Sequence, residues 1–202
     1  MAKSLPVARR EVWVTRSQVD TLTEAIAPRY QALVRLAALT GMRSGELAAL
    51  RWGDLRLSQP LNDGAVAGPG RLRVVRAFSD PRRNGNGHVK DPKSEARRRT
   101  IALDEETCDT FRAHREQFGD KDRGLVFTPG GPRGRGGALA ANNFRRVWLR
   151  ALQQAGLDGG WPEYGGLHFH DLRHSHATWL LALRVPMIEV SARLGMPTRS
   201  SR

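Results

Sequence analysis

A chain of 202 residues, 40% hydrophobic and 26% charged, is long enough to bury a sizeable core in one compact domain, and its composition excludes wholesale disorder. Its 33 Lys plus Arg against 20 Asp plus Glu leave a net charge of +13, which points to an anionic polymer, nucleic acid above all, as partner. The single cysteine, Cys108, excludes an internal disulfide or a cysteine-rich zinc site and fits a reducing cytoplasm; the absence of a signal-type h-region or a bilayer-length apolar run argues against secretion and membrane insertion.

Thr15 or Ser17 is suited to cap a first helix running to about Ile26, and Pro28 to open a second in which Leu33, Val34, Ala37 and Ala38 recur at helical spacing until Gly41. This hairpin delivers Arg43 to a turn, and Ser44 is expected to cap a third helix that ends at Trp52-Gly-Asp-Leu. Beyond a Gly- and Pro-rich stretch from Ser58 to Gly70, the segments 71–78 and 98–103 alternate like paired antiparallel strands, with 54–57 as a candidate third. The connection from Asp80 to Lys93 reads as a long polar hairpin tip rich in cations, Lys90 and Lys93 among them.

Asp104 and Gly119 bracket a fourth helix with Glu105 and Glu106 in its first turn, and Cys108 fits there as a small apolar filler. Leu125-Val-Phe127 reads as a short buried element, followed by a flexible basic loop that contains Arg135. The next helix turns Phe144, Trp148 and Leu152 inward and leaves Arg145, Arg146 and Arg150 off the core face, as expected of a surface lying along DNA. Two last helices are expected from Asp171 to about Leu183 and from Pro186 to about Leu194.

The residues with most chemistry lie at the turn after the second helix and at the start of the penultimate one. His170 and Arg173 are three apart near a helix N-terminus, whose partial positive charge adds to theirs, so that one face can receive an anion. Arg43 offers a second planar guanidinium able to donate two parallel hydrogen bonds to a phosphate. Two such forks with an imidazole are suited to stabilising the extra charge of five-coordinate phosphorus.

Three boxes, Thr40-Gly-Met-Arg-Ser-Gly-Glu-Leu-Ala-Ala-Leu-Arg-Trp-Gly-Asp54, Pro92-Lys-Ser-Glu-Ala-Arg-Arg-Arg-Thr-Ile-Ala-Leu103 and His170-Asp-Leu-Arg-His174, resemble, in order, those of the tyrosine recombinases of the phage-integrase family. The resemblance implies an α+β, mainly helical catalytic domain with a small antiparallel β-sheet, acting on double-stranded DNA by strand breakage and rejoining. It also implies roles: Arg43, His170 and Arg173 around the scissile phosphate, Glu46 bracing Arg43, His174 supporting, and Lys93 protonating the leaving 5′-oxygen. Lys90, Arg135, Arg145 and Arg146 are the expected DNA contacts, and neither a metal nor a nucleotide cofactor is implied, because the family attacks the phosphate with a tyrosine hydroxyl.

The chain departs from the family pattern at two places. Met196 stands where the family has a histidine or tryptophan, and no tyrosine follows it; Tyr30 reads as helix packing and Tyr164 lies in a glycine-rich loop. The expectation is a single catalytic domain over residues 1–202, associated with the nucleoid, without the amino-terminal DNA-clamping domain and ending before the tyrosine, hence unable to cleave alone unless a full-length recombinase subunit supplies the nucleophile. Two alternatives stand beside it. One is a noncatalytic DNA-binding protein acting on recombination sites. The other is a metal-binding protein built on His168, His170, His174 and His176, in which His170 and His174 have the spacing of a helical zinc pair but Asp171 replaces the glutamate that the metalloprotease form requires. His176 reads as a partly buried helix residue rather than a site residue.

Overall fold

The computed structural model describes residues 12–58, 68–79, 88–90, 98–119, 124–129, 139 and 141–196. Helices α1 (Arg16–Ala25) and α2 (Pro28–Thr40) form the expected hairpin. Thr15 caps α1 in a reciprocal capping box with Gln18, and Gly41 ends α2 at φ 63°, in the left-handed region that glycine enters without a Cβ penalty. Tyr30 is buried on α2 with its ring edge-on to Phe144, the packing role read from the sequence.

Helix α3 (Ser44–Ala48) begins one residue earlier than the sequence suggests, because its cap is Arg43, whose backbone N–H donates to the Glu46 carboxylate at 2.9 Å. A 3-10 turn over Trp52–Asp54 follows, then strand β1 (Leu55–Arg56). The strand expected over 71–78 is two strands, β2 (Gly70–Val74) and β3 (Ala77–Ser79). Strand β2 lies between β1 and β5 (Arg99–Leu103) in an antiparallel sheet in which Leu72 pairs with Ile101, whereas β3 pairs with β4 (His88–Lys90) in a separate ribbon. The polar connection therefore contains a strand that its composition does not announce. Leu72, Val74, Ile101 and Leu103 form the buried face of the larger sheet while Arg71 and Arg73 face solvent.

Asp104 caps α4 (Glu105–Phe118) by accepting the Thr107 N–H at 2.9 Å, and Cys108 is fully buried on it as expected. Helix α5 (Ala141–Gln154) buries Phe144, Trp148 and Leu152 and exposes Arg145, Arg146 and Arg150. Helices α6 (Asp171–Ala182) and α7 (Met187–Leu194) complete the described fold. Helix α6 packs on α2 and is tied to the chain before α1 by Val14, whose N–H donates to Ser175 Oγ and whose carbonyl accepts from Trp179 Nε1. Among the described residues no helix is long and apolar enough to cross a membrane.

Candidate functional site

Four chain segments far apart in sequence meet at one place: the α2–α3 turn, β5, the start of α6 and the C-terminal turn of α7. A helix C-terminus leaves carbonyls without intrahelical partners and carries partial negative charge, so it attracts cations. Here the Arg193 carbonyl accepts from Arg99 Nε at 2.7 Å, the Leu194 carbonyl from Arg173 Nη2 at 2.6 Å, and the Gly195 carbonyl from Arg43 Nη2 at 3.3 Å. Arg173 also donates from Nη1 to the Gly41 carbonyl at 2.5 Å, so its fork joins the end of α2 to the end of α7.

Glu46 is the counter-ion of this cluster. Its Oε1 accepts from Arg43 Nη1 and Arg99 Nη1, each at 3.0 Å, and its Oε2 from the Arg43 backbone N–H at 2.9 Å and Arg99 Nη2 at 2.8 Å. Burial opposes ionisation of this carboxyl, but the hydrogen bonds and charges of Arg99 and Arg43 outweigh it and hold the carboxyl below its ordinary range. The Arg43–Glu46 pair is therefore no exposed ion pair of small worth: Glu46 is 5% exposed, whereas the Arg43 side chain keeps 36% of its surface open to solvent.

Burial, then the charge of Arg43, lowers the Arg173 guanidinium to about 10, which still leaves it charged at neutral pH. His170, on the turn before α6, is pushed below its ordinary value by partial desolvation of its ring, by His174 one helical turn on, and by Arg173. The His170 and His174 rings stand perpendicular with centroids 5.2 Å apart. Between His168 and His170, Phe169 is clamped edge-on by Phe144 at 5.0 Å and Trp148 at 5.4 Å, and Trp148 Nε1 donates to the Leu167 carbonyl, so α5 orients the histidine-bearing turn. Asp171 closes the same turn by accepting the His168 N–H at 2.7 Å.

The sequence-predicted residues thus divide. Arg43, Glu46, His170 and Arg173 come together, with His174 beside them and exposed. Lys93 and Arg135 lie outside the described residues, and Lys90 lies in β4, opposite Ala77. Arg145 and Arg146 are exposed on α5, and Met196 is exposed directly after the glycine that holds Arg43. His176 is buried, accepts from Arg193 Nε at 3.0 Å and is lowered to about 4 by burial and the Arg193 charge, in keeping with a packing role. Among the described residues no group of three or more His, Cys, Asp or Glu is arranged to hold a metal ion.

Arg99 is the residue that sequence reasoning missed. Nothing in the sequence reading singles it out within the strand over 98–103, yet its side chain is 7% exposed and both terminal nitrogens grip Glu46. The signal was the strand alternation itself: residues 99, 101 and 103 share a face, and Ile101 and Leu103 are core.

The pattern of the phage integrase family matches residues 12–198. The chain is 33% identical over 186 residues to the "Putative prophage phiRv2 integrase" of Mycobacterium tuberculosis, covering 91% of this chain and 44% of that protein. It is 31% identical over 185 residues to an integrase of Streptomyces ambofaciens, covering 86% of this chain and 43% of the relative. It thus spans less than half the length of these two relatives. In fold it resembles the Tn1549 transposon integrase solved in complex with transposon right end DNA, at a TM-score of 0.72 and 16% identity over 95% of this chain and 60% of that one. The XerA recombinase is similar at a TM-score of 0.63 and 20% identity, over 96% of this chain and 58% of that one. With nearly all of its described fold inside the matched span, the chain belongs to the phage integrase family.

Proposed function

We propose that this chain is the catalytic unit of a tyrosine recombinase, which binds double-stranded DNA and holds the scissile phosphodiester at a pocket of Arg43 and His170 with Arg173 behind them. The observation that carries this reading is the convergence of two guanidiniums and an imidazole from separate elements, with one of the guanidiniums facing solvent. A phosphate entering beside Arg43 meets a charged fork whose orientation is set in advance by Glu46 and the Gly195 carbonyl. Arg173 adds charge from behind, and the imidazole of His170 brings ring nitrogens able to hydrogen-bond the phosphate. These groups stabilise charge that grows as the phosphorus becomes five-coordinate, the step at which preorganised donors act most strongly.

Lys93 is the proposed donor of a proton to the leaving 5′-oxygen, and His174 a supporting residue. The exposed arginines of α5, Arg145 and Arg146, are proposed to face DNA, and Lys90 and Arg135 are proposed as further DNA contacts. No metal or nucleotide enters the scheme, since an ester to a tyrosine hydroxyl conserves the bond energy for rejoining. A full-length recombinase subunit, which would bring the tyrosine nucleophile, is a proposed partner.

Fluorescence anisotropy of the 202-residue polypeptide on intact and nicked duplexes across a salt series tests the reading. Affinity should fall steeply with salt, with little preference among sequences, and Arg145→Gln should flatten the log–log slope by about one. Equal affinity at low and high salt would overturn it. A denaturing gel on the same samples separates binding from covalent chemistry: with Tyr30 buried in the core and Tyr164 packed partly buried against it, binding without an adduct is the expected result.

A further inference from the structure

We propose that Arg99 is a positioning residue for the phosphate site, holding Arg43 in place through both of Arg43's own anchors; the inference rests on the phosphate-site reading above. Arg43 is fixed on two sides, by Glu46 at Nη1 and by the Gly195 carbonyl at Nη2. Arg99 bonds the first support directly and braces the turn that carries the second. Its terminal nitrogens occupy one lone-pair position on each Glu46 oxygen, which leaves Arg43 the other position on each. Its Nε binds the Arg193 carbonyl, two residues before the carbonyl that Arg43 uses, and so fixes the α7 turn relative to Glu46.

Gly195 is what lets the strut reach. Its backbone lies at φ 60°, and a Cβ there would stand 2.9 Å from Arg99 Nη1, so the guanidinium passes against a turn that only a glycine leaves open. With every nitrogen of its guanidinium bonded to protein oxygens, Arg99 acts through Arg43 rather than on the phosphate itself. Its charge serves too, because three guanidiniums crowd one carboxylate and the carbonyl end of α7, and the arrangement holds only while each faces an acceptor. The strand supplies the rigidity: β5 is paired along its length with β2, so Arg99 projects from a fixed backbone, whereas Arg43 projects from a turn.

The test uses Arg99→Met, with Arg99→Lys as a second variant that keeps the charge but loses the fork. Two measurements are made on folded protein, confirmed by circular dichroism: orthovanadate affinity by titration, and the side-chain N–H resonances of Arg43 by NMR. Arg99→Met should weaken vanadate by about ten-fold, the equivalent of one charge-assisted hydrogen bond put out of register, and should broaden the Arg43 resonances. Arg99→Lys should restore neither fully, and it carries the test if the Met variant does not fold. Unchanged vanadate affinity together with unchanged Arg43 resonances in either folded variant would overturn the proposal. If the parent protein binds no vanadate, the phosphate-site reading fails, while the Arg43 resonances still decide whether Arg99 positions that side chain.

Discussion

Removing the Glu46 carboxylate should cost far more than the loss of an ordinary ion pair. Its two oxygens accept four N–H groups, two from Arg43 and two from Arg99, so all four of its lone-pair positions are filled, and the Arg99 side chain is 7% exposed. Glu46→Ala leaves the Arg99 guanidinium buried without its counter-ion, a change that typically costs about 3–5 kcal/mol. For a domain of this size each kcal/mol lowers Tm by about 2–4 °C, giving a loss of about 6–20 °C. Glu46→Gln keeps the volume but turns an amide NH2 toward two donors, so it should recover little of the loss. Glu46→Ala combined with Arg99→Met should be more stable than Glu46→Ala alone, because the second change removes the unpaired charge. Thermal and urea denaturation of the four proteins, followed by circular dichroism, measures this. A Glu46→Ala variant within 1 kcal/mol of the parent, or a double variant less stable than the single, would refute the reasoning.

Acidification should destabilise the fold well above the carboxylate range. The unfolded His176 imidazole takes up a proton near its ordinary 6.5 and the folded one only at about 4, so in that window the unfolded state binds more protons and stability falls as pH falls. The loss from this group reaches about 3 kcal/mol below pH 4, and urea midpoints that stay level from pH 7 to 5 would contradict it. Glu46 acts further down, its contribution being present above its unfolded value of 4.5 and lost as pH falls through its lowered folded value. Gly45→Ala should cost about 1–3 kcal/mol and loosen the β3–β4 ribbon, because a Cβ there would lie 2.6 Å from the Phe78 carbonyl oxygen, a backbone atom with little room to give. Amide exchange in β3 that is no faster in this variant would count against that packing argument.

Elements whose causes are local were legible in the sequence. Asp104 and Gly119 mark the ends of α4, Pro28 and Gly41 those of α2, and the inward row Phe144, Trp148, Leu152 gives the face of α5, because caps, breakers and helical spacing act over a few residues. The proposal that Arg43, His170 and Arg173 receive an anion starts from the same kind of local cause, side-chain type and helix position. The split of 71–78 into strands of two different sheets was not, since partner choice is made by residues far along the chain.

The sequence by itself determined the charge, the helices and the alternating strands, and it named Arg43, His170 and Arg173 as the candidates for a phosphate. Only the tertiary structure decided which arginine is buried and what holds each one: Arg99 reaches Glu46 across 53 residues and Arg173 reaches the Gly41 carbonyl across 132. The physical reason is that a guanidinium has no preference written in its own neighbourhood. It goes where a carboxylate and unpaired helix-end carbonyls offset the cost of removing it from water, and those acceptors come together only when α7, β5 and the α2–α3 turn have packed.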